Sequence, residues 1–455
     1  MIEVDNKNKI FRKGRSHDSP YRILILLGFI IAGLYVLAGY RRGDIKQAFL
    51  PTPTATRMPD SYTLEAETQF EAGNLEAAIE AYNRAVQLAP TDAELIADLA
   101  RIQTYYSNLS TTDAIAGERL QQAKVNIDRA TELAPDNSYV QAIRAFVYNW
   151  NSNPTHAGEN QGPYMAEAEQ AAMTALQLDS QNALALAYYA EILIDNLKYE
   201  QAYQNVRQAL ERDPTLMDVH RVSGYVLESS ADYEGAIEEY KKAIEITPNF
   251  TPLYIQIGTN YRTLGLRSAN LDRQKLMYES ALEYYEMAVN INKRIGVVDP
   301  IPYLAISRTY SQMGEFFAAA LNVRTALDLL PDEADIYGQL GLVYFRSRNY
   351  EGAIPALKCA VYGCTAEESC EVRQCNEETD PQYEIIGLPL TDGSVIYYYT
   401  YGSVLAGMHR EGLDYCERSA QVMADVKARF SDDNDIMAII NPSIEICAGF
   451  DQPTP

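Results

Sequence analysis

The pattern of apolar and polar residues differs between two parts of the chain. Residues 23–40 read ILILLGFIIAGLYVLAGY, an uninterrupted apolar run without a charged side chain, and arginines bound it on both sides. From about residue 59 onward, apolar residues are interspersed with charged ones, and Ala, Glu, Leu and Tyr recur at short intervals. This pattern favours helices, so the chain is predicted to be all-α, with one wholly apolar helix before a long helical body.

The apolar run is predicted to be a transmembrane helix. Eighteen residues span ~27 Å as a helix, which is enough to cross a bilayer core. A cleaved signal peptide is the alternative, but the run is longer than a usual signal core, Arg41 and Arg42 follow it directly, and no A-x-A cleavage site precedes a plausible cut. More basic residues precede the run than follow it, so the N-terminus is predicted to stay in the cytoplasm.

A set of small residues recurs through the body at matched places. Eight segments align so that two alanines, seven residues apart, occur in every one. The first alanine of each pair is Ala78, Ala123, Ala168, Ala202, Ala236, Ala281, Ala319 and Ala353, and the second is Ala85, Ala130, Ala175, Ala209, Ala243, Ala288, Ala326 and Ala360. Twelve residues before the first alanine stands another small residue, which is Ala66, Ala100, Ala145, Ala190, Gly224, Gly258, Ser307 or Gly341.

This pattern resembles the tetratricopeptide repeat, with small residues at repeat positions 8, 20 and 27. The resemblance implies a right-handed α-solenoid of about eight helix pairs plus a degenerate ninth pair, behind the transmembrane helix. Small residues let neighbouring helices approach, while bulky ones such as Tyr82, Tyr240 and Tyr285 fill the spaces between them. Three units are eleven residues longer than the others. Residues 267–277 read as a helix extension, and residues 151–163 read as a loop because of their Gly, Pro and Asn content.

Seven segments are predicted in all. They are a basic cytoplasmic N-terminus (1–22), the transmembrane helix (23–40), a Pro/Thr-rich linker (41–58), eight repeats (59–360), a Cys-rich insert (361–394), a degenerate repeat with a capping helix (395–450) and a tail (451–455).

Charge separates the membrane-proximal end from the rest of the chain. Residues 1–42 carry eight basic and three acidic side chains, a net of +5, so the remainder carries −29 of the total of −24. A body that acidic repels phosphate backbones, so no nucleic-acid partner is predicted. The sequence contains no P-loop and no H-E-x-x-H motif, so we predict no catalytic residues, no metal and no cofactor.

The resemblance also implies a binding groove, because the first helix of each tetratricopeptide unit lines a concave surface. The residues at its ligand-facing places are Arg221, Tyr225, Arg262, Arg308, Phe345 and Arg346. Arginines in successive units could bind the carboxylates of a peptide or of an anionic wall polymer, with the two aromatic residues offering apolar contact. The alternative is that these arginines pair with acidic neighbours and relieve repulsion within the body.

All six cysteines lie near the C-terminal end, at Cys359, Cys364, Cys370, Cys375, Cys416 and Cys447. An even number confined to one exported region predicts two or three disulfides, with Cys416 bonded to Cys447. A four-cysteine zinc site is the alternative for the first four, but their spacing gives no paired C-x-x-C knuckles.

Together these features predict a non-catalytic protein-interaction scaffold. It would be held by one helix in the cytoplasmic membrane and would display its groove on the outer side, where it would help assemble an envelope complex. One alternative is a cytosol-facing receptor on an organelle membrane, similar to mitochondrial import receptors. Another is a thiol- or zinc-dependent enzyme in the Cys-rich region. The sequence leaves the oligomeric state open.

Overall fold

The computed structural model describes residues 20–42, 57–110, 113–376, 379–410 and 414–450. It divides the chain into two units, Met1–Arg57 and Met58–Pro455. Most of the predicted basic N-terminus, most of the Pro/Thr-rich linker and the whole predicted tail lie outside the described residues.

The described part of the first unit is one helix, α1 (Pro20–Arg42). Its stretch Pro20–Gly39 is long and apolar enough to cross a membrane, and none of it is buried. Large side chains along it are open to the surroundings; Phe29, for example, is 73% exposed. A helix that is apolar on every side has no polar face to turn towards water.

The second unit is a series of helices that pack in consecutive pairs. The first five pairs are α2 (Pro59–Glu71) with α3 (Leu75–Leu88), α4 (Ala93–Ser107) with α5 (Asp113–Leu133), α6 (Ser138–Asn151) with α8 (Gln161–Leu178), α9 (Ala183–Asp195) with α10 (Tyr199–Arg212), and α11 (Met217–Ser229) with α12 (Tyr233–Ile246). The next three are α13 (Thr251–Arg267) with α14 (Leu271–Ile295), α15 (Ile301–Met313) with α16 (Phe316–Leu329), and α17 (Ala334–Arg346) with α18 (Tyr350–Tyr362). These eight pairs confirm the predicted all-α solenoid.

The recurring small residues are the places where helices approach most closely. All sixteen aligned alanines have 0% exposure. At Gly258, an added Cβ would lie 2.4 Å from the ring of Tyr285 in the second helix of the same pair, and at Gly224 it would lie 2.7 Å from Tyr240. The tyrosine of the second helix therefore fills the space that the glycine of the first helix leaves open.

The first pairs curve far enough for the chain to meet itself. The ring of Phe250, just before α13, lies 5.7 Å from the ring of Phe70 in α2 and 5.3 Å from that of Tyr105 in α4. The side-chain amide of Asn249 also donates to the carbonyl of Glu71 over 3.3 Å. The concave side of these five pairs is consequently packed with side chains.

Two of the longer repeat units accommodate their extra residues in different ways. α13 and α14 lengthen the sixth pair, separated by only three residues, so residues 267–277 mostly extend helices as predicted. The loop prediction for residues 151–163 was wrong. That stretch forms α7 (Pro154–Ala157), a 3-10 turn (Gly158–Asn160) and the start of α8. Pro154 begins a helix there, where its missing N–H costs nothing.

The C-terminal part adds α19 (Ala366–Arg373), then the ninth pair α20 (Val395–Met408) and α21 (Cys416–Phe430), and α22 (Asn434–Phe450), which packs on both members of that pair. An isolated antiparallel bridge joins Cys364 and Ile385.

The six cysteines lie in three pairs at disulfide distance. Their Cα atoms are 4.7 Å apart for Cys359 and Cys364, 5.0 Å for Cys370 and Cys375, and 5.2 Å for Cys416 and Cys447. The last pair joins the start of α21 to the end of α22.

Candidate binding site

The concave helices of the first five pairs meet around a buried carboxylate. Asp218 of α11 is 1% exposed and accepts hydrogen bonds from Arg101 and Tyr105 of α4 and, over 2.6 Å, from the hydroxyl of Tyr188 in α9. Burial alone would raise the pKa of Asp218, but the Arg101 guanidinium and these hydrogen bonds lower it to about 2. The carboxylate is therefore ionised and fully paired.

Arg221 has a structural partner as well. It is 9% exposed, and its two terminal nitrogens donate to the carboxylate of Glu191 over 3.1 and 2.6 Å. Trp150 donates to the same carboxylate over 3.0 Å. The sequence predicted that Arg221 offers positive charge to a ligand, and its ion pair with Glu191 fits the alternative that these arginines pair with acidic neighbours. The physical reason is the closure of the solenoid, since a guanidinium removed from water requires a bidentate partner.

A cavity of about 650 Å³ remains beside this network. Its walls include aromatic side chains and several polar ones that the concave helices contribute: Tyr105, Asn149, Trp150, Glu191, Asp195, Arg221, Tyr225, Tyr240, Phe250 and Gln256. Its volume lies within the range of ligand pockets. Tyr225 thus lines a cavity, and it also donates its hydroxyl to Asp195 over 2.7 Å.

Asp195 is the acidic group of this cavity that no cation neutralises. Within the described residues it forms no ion pair, and its hydrogen bonds come from neutral donors, the Tyr225 hydroxyl and the Asn149 amide, both over 2.7 Å. Its side chain is exposed, and it lines the cavity. Loss of water around it raises its pKa, and the charge of Glu191 acts in the same direction, whereas its two hydrogen bonds and the Arg221 guanidinium oppose this rise.

Asn149 leaves one buried acceptor unused. The residue is 6% exposed, its amide nitrogen is taken by Asp195, and its Oδ1 has no hydrogen-bond partner among the residues that the structure describes. Buried acceptors are nearly always satisfied in folded proteins. This oxygen has almost no accessible surface, so it is a polar atom buried within the cavity wall.

A second, smaller cavity of about 230 Å³ lies further along the concave face. Arg262 of α13 and Arg308 of α15 both line it, together with Asp335 and Gln339 of α17. Arg308 donates to the Gln339 side chain over 3.3 Å. Neither arginine forms an ion pair within the described part of the chain.

Phe345 and Arg346 line neither cavity. Both are exposed at the end of α17, where the Phe345 ring lies 6.1 Å from that of Tyr350. The six groove residues therefore fall into three places, two in the first cavity, two in the second and two outside both. Sequence reasoning missed Asn149, Trp150 and Asp195, although all three occupy ligand-facing repeat places, because it took groove residues only from the fifth to eighth units, whereas these three lie on α6 and α9.

Comparison with models of known protein families supports the repeat pattern. Two family models, both described as tetratricopeptide repeat, match residues 59–92, 222–250 and 304–365. The chain carries tetratricopeptide repeats. These repeats generally mediate protein–protein interactions, and scaffolds built from them are typically not enzymes.

Two curated relatives share parts of this tetratricopeptide region. The BBSome complex member BBS4 of Bos taurus is 28% identical over 142 residues, which is 30% of this chain and 24% of BBS4. The type IV pilus assembly protein PilF of Pseudomonas aeruginosa is 25% identical over 169 residues, which is 37% of this chain and 58% of PilF. The chain thus spans less than two thirds of the length of either relative.

One solved structure resembles this chain over most of the length of both. A human IFIT1 dimer with m7Gppp-AAAA has a TM-score of 0.53 at 18% identity, covering 88% of this chain and 92% of the IFIT1 chain. At that identity the likeness supports the fold alone.

Proposed function

We propose that the chain is a non-catalytic scaffold that binds a partner polypeptide on the concave face of its tetratricopeptide repeats. The observation that carries the proposal is the second cavity, where Arg262 and Arg308 lie together without a carboxylate partner within the described residues. Asp335 lines the same cavity, but it accepts from Gln339 and Tyr397 and forms no ion pair with either arginine among the described residues. Two guanidinium groups against one carboxylate favour binding of a carboxylate from outside. Phe345 and Arg346 would extend this contact along α17.

We further propose that α1 anchors the scaffold in the cytoplasmic membrane, with the repeats on the outer side, where they help to assemble an envelope complex. The length and apolarity of α1 support an anchor. The excess of basic residues before it supports a cytoplasmic N-terminus. Three cysteine pairs at disulfide distance support an oxidising compartment and argue against a cytosol-facing receptor. Paired sulfurs also leave no thiolate for zinc or for nucleophilic catalysis.

A nucleic-acid ligand is the less favoured occupant of the concave face. The comparison structure of IFIT1 was solved with m7Gppp-AAAA. In this chain, however, the larger cavity carries two carboxylates and one paired guanidinium, and the whole body is strongly acidic. Phosphates would be repelled there, whereas nucleic-acid-binding surfaces are positively charged.

Photo-crosslinking in the native membrane tests the partner surface. A p-benzoylphenylalanine placed at Ile255, which lines the second cavity, should give light-dependent adducts of discrete mass with the partner. Combining it with Arg262→Ala and Arg308→Ala should remove most of these adducts, because both cations that hold the partner are gone. The control is Arg207→Ala, since Arg207 is an exposed arginine of α10 whose side chain is 62% accessible. Adducts that survive loss of both cavity arginines, or a complete lack of adducts, would refute this surface.

A further inference from the structure

We infer that the 650 Å³ cavity binds a basic side chain, a lysine ammonium or an arginine guanidinium, of the partner polypeptide. This inference rests on the proposed function, and it names the chemistry of the group that the partner inserts. It also reverses the sign of charge that the sequence suggested for this part of the groove.

The charge balance of the cavity wall supports a cation. The charged groups that line it are Glu191, Asp195 and Arg221. Arg221 donates to Glu191 over 3.1 and 2.6 Å and to the Tyr105 hydroxyl over 3.1 Å. Asp195 forms no ion pair within the described residues, although the Arg221 guanidinium acts on it through space. Two carboxylates and one guanidinium give the wall a net charge of −1, which attracts a cation.

The hydrogen-bonding groups point to the same class of ligand. Asp195 can accept more than the two hydrogen bonds that it already receives. Ammonium and guanidinium groups carry several donors and no acceptor, so they match this carboxylate. A carboxylate or phosphate would meet Asp195 as a like charge.

The aromatic content of the cavity adds a third argument. Trp150 and Tyr225 lie on the same wall as Asp195, and both are only partly buried. The faces of indole and phenol rings attract cations, and the apolar ring surface accommodates the methylene stem of lysine or arginine.

The position of the cavity favours a polypeptide over a free amine. Ser110 lines both cavities, so the two adjoin each other along the concave face. The first cavity has a net charge of −1, from two carboxylates and one guanidinium, and the second has a net charge of +1, from two guanidinium groups and one carboxylate. A chain segment that carries a basic and an acidic residue could contact both, which a small amine could not.

Peptide arrays test this inference with the full-length chain in detergent. The probes are heptapeptide pools with blocked ends, randomised over uncharged residues and fixed at the centre as Lys, Arg, norleucine or Glu. The Lys and Arg pools are expected to retain at least about fivefold more protein than the norleucine pool. Asp195→Asn, which keeps an oxygen acceptor for Tyr225 and removes the charge, should reduce this ratio to about one. Circular dichroism of the variant checks that it is folded.

The matched control is Asp272→Asn. Asp272 is exposed in the first turn of α14 and does not line the cavity, so this variant changes the net charge equally and should keep the preference. Equal loss in both variants would show that only overall charge attracts the peptides and would overturn the inference. Equal retention of the norleucine and Lys pools by the unmodified chain would overturn it as well.

Two further results separate this inference from the proposed function. If spermidine binds in calorimetry through Asp195 while no peptide pool is preferred, the cavity takes a free amine and the inference fails. Adducts at position 255 report on partner binding independently. Adducts that form normally without any lysine or arginine preference would overturn the inference alone, and their absence would overturn the proposed function.

Discussion

Gly258 and Tyr285 illustrate how single residues set the distance between helices. The first helix pair carries Ala66 and Tyr82 at the equivalent places. The distance between the two helices of a pair is therefore adjusted to the small residue that the pair contains. In the sixth pair the helices have closed around a glycine, and Tyr285 has 0% exposure. A side chain added there has no open space to enter.

Gly258→Val is therefore expected to destabilise the chain strongly. Its Cβ would lie 2.4 Å from the Tyr285 ring, and overpacking of this kind costs about 1–3 kcal/mol. The matched control is Gly407→Val in α20, where an added Cβ meets nothing within 4 Å. The packing effect is measured as the difference between their urea midpoints, followed by circular dichroism. Equal midpoints would contradict the proposed role of the close contact.

The sequence predicted which polar residues lie on the concave face, but not which residues they contact. Arg221 and Tyr225 both reach the concave side, as the repeat frame predicts. The frame does not specify which acidic residue approaches which basic one, because Glu191 is thirty residues away from Arg221 along the chain. Asp195 was overlooked for the same reason, since an acidic residue in an acidic body gives no distinguishing signal.

At the scale of the helices, length and spacing were more predictable than loops. The alanine pairs located every helix pair from α2 to α18, and the eleven-residue insertions appear partly as longer helices. Residues 151–163 were misread because Gly, Pro and Asn usually mark loops, yet Pro154 can start a helix and α8 begins within the stretch.

The pair Cys416 and Cys447 should stabilise the capping helix α22. It encloses a chain separation of 31 residues, for which the loop-entropy estimate gives about 3–4 kcal/mol. We expect Cys416→Ser with Cys447→Ser to lower the free energy of unfolding of the C-terminal repeats by about that amount, measured as earlier hydrogen exchange in α22. Cys359→Ser with Cys364→Ser is the comparison, because that pair is separated by only 5 residues and should contribute less, about 2 kcal/mol. A larger effect from the shorter loop would contradict this explanation.

At the scale of the whole molecule, the curvature of the solenoid decides which part of its inner surface is available. Five pairs bring α2 against the residues just before α13, and Phe250 at this contact also lines the larger cavity. Arg262 and Arg308 line the second cavity further along, where Arg308 is exposed.

The proposed topology predicts a specific pattern of thiol labelling. On intact cells, a membrane-impermeant maleimide should label few cysteines before reduction and about six after it, since the chain has six. The expected reason is that oxidised cysteines in an external domain become reactive only when reduced. The control is labelling after the membrane is permeabilised, which shows how many cysteines the membrane shields in intact cells. Six free thiols shielded by the membrane would contradict both the outward orientation and the oxidised state.

The sequence by itself determined the helical class, the number of pairs and the apolar helix α1, because each depends on local spacing of small and apolar residues. The six predicted groove residues lie on first helices of their pairs, as the repeat frame expects, and their role in binding stays a prediction. Only the tertiary structure decided that the first five pairs close on themselves, that Arg221 is neutralised by Glu191, and that Asp195 lines a cavity without an ion pair among the described residues. The physical reason is that small rotations between successive pairs accumulate into a curvature, and curvature sets the contacts between residues that are far apart along the chain.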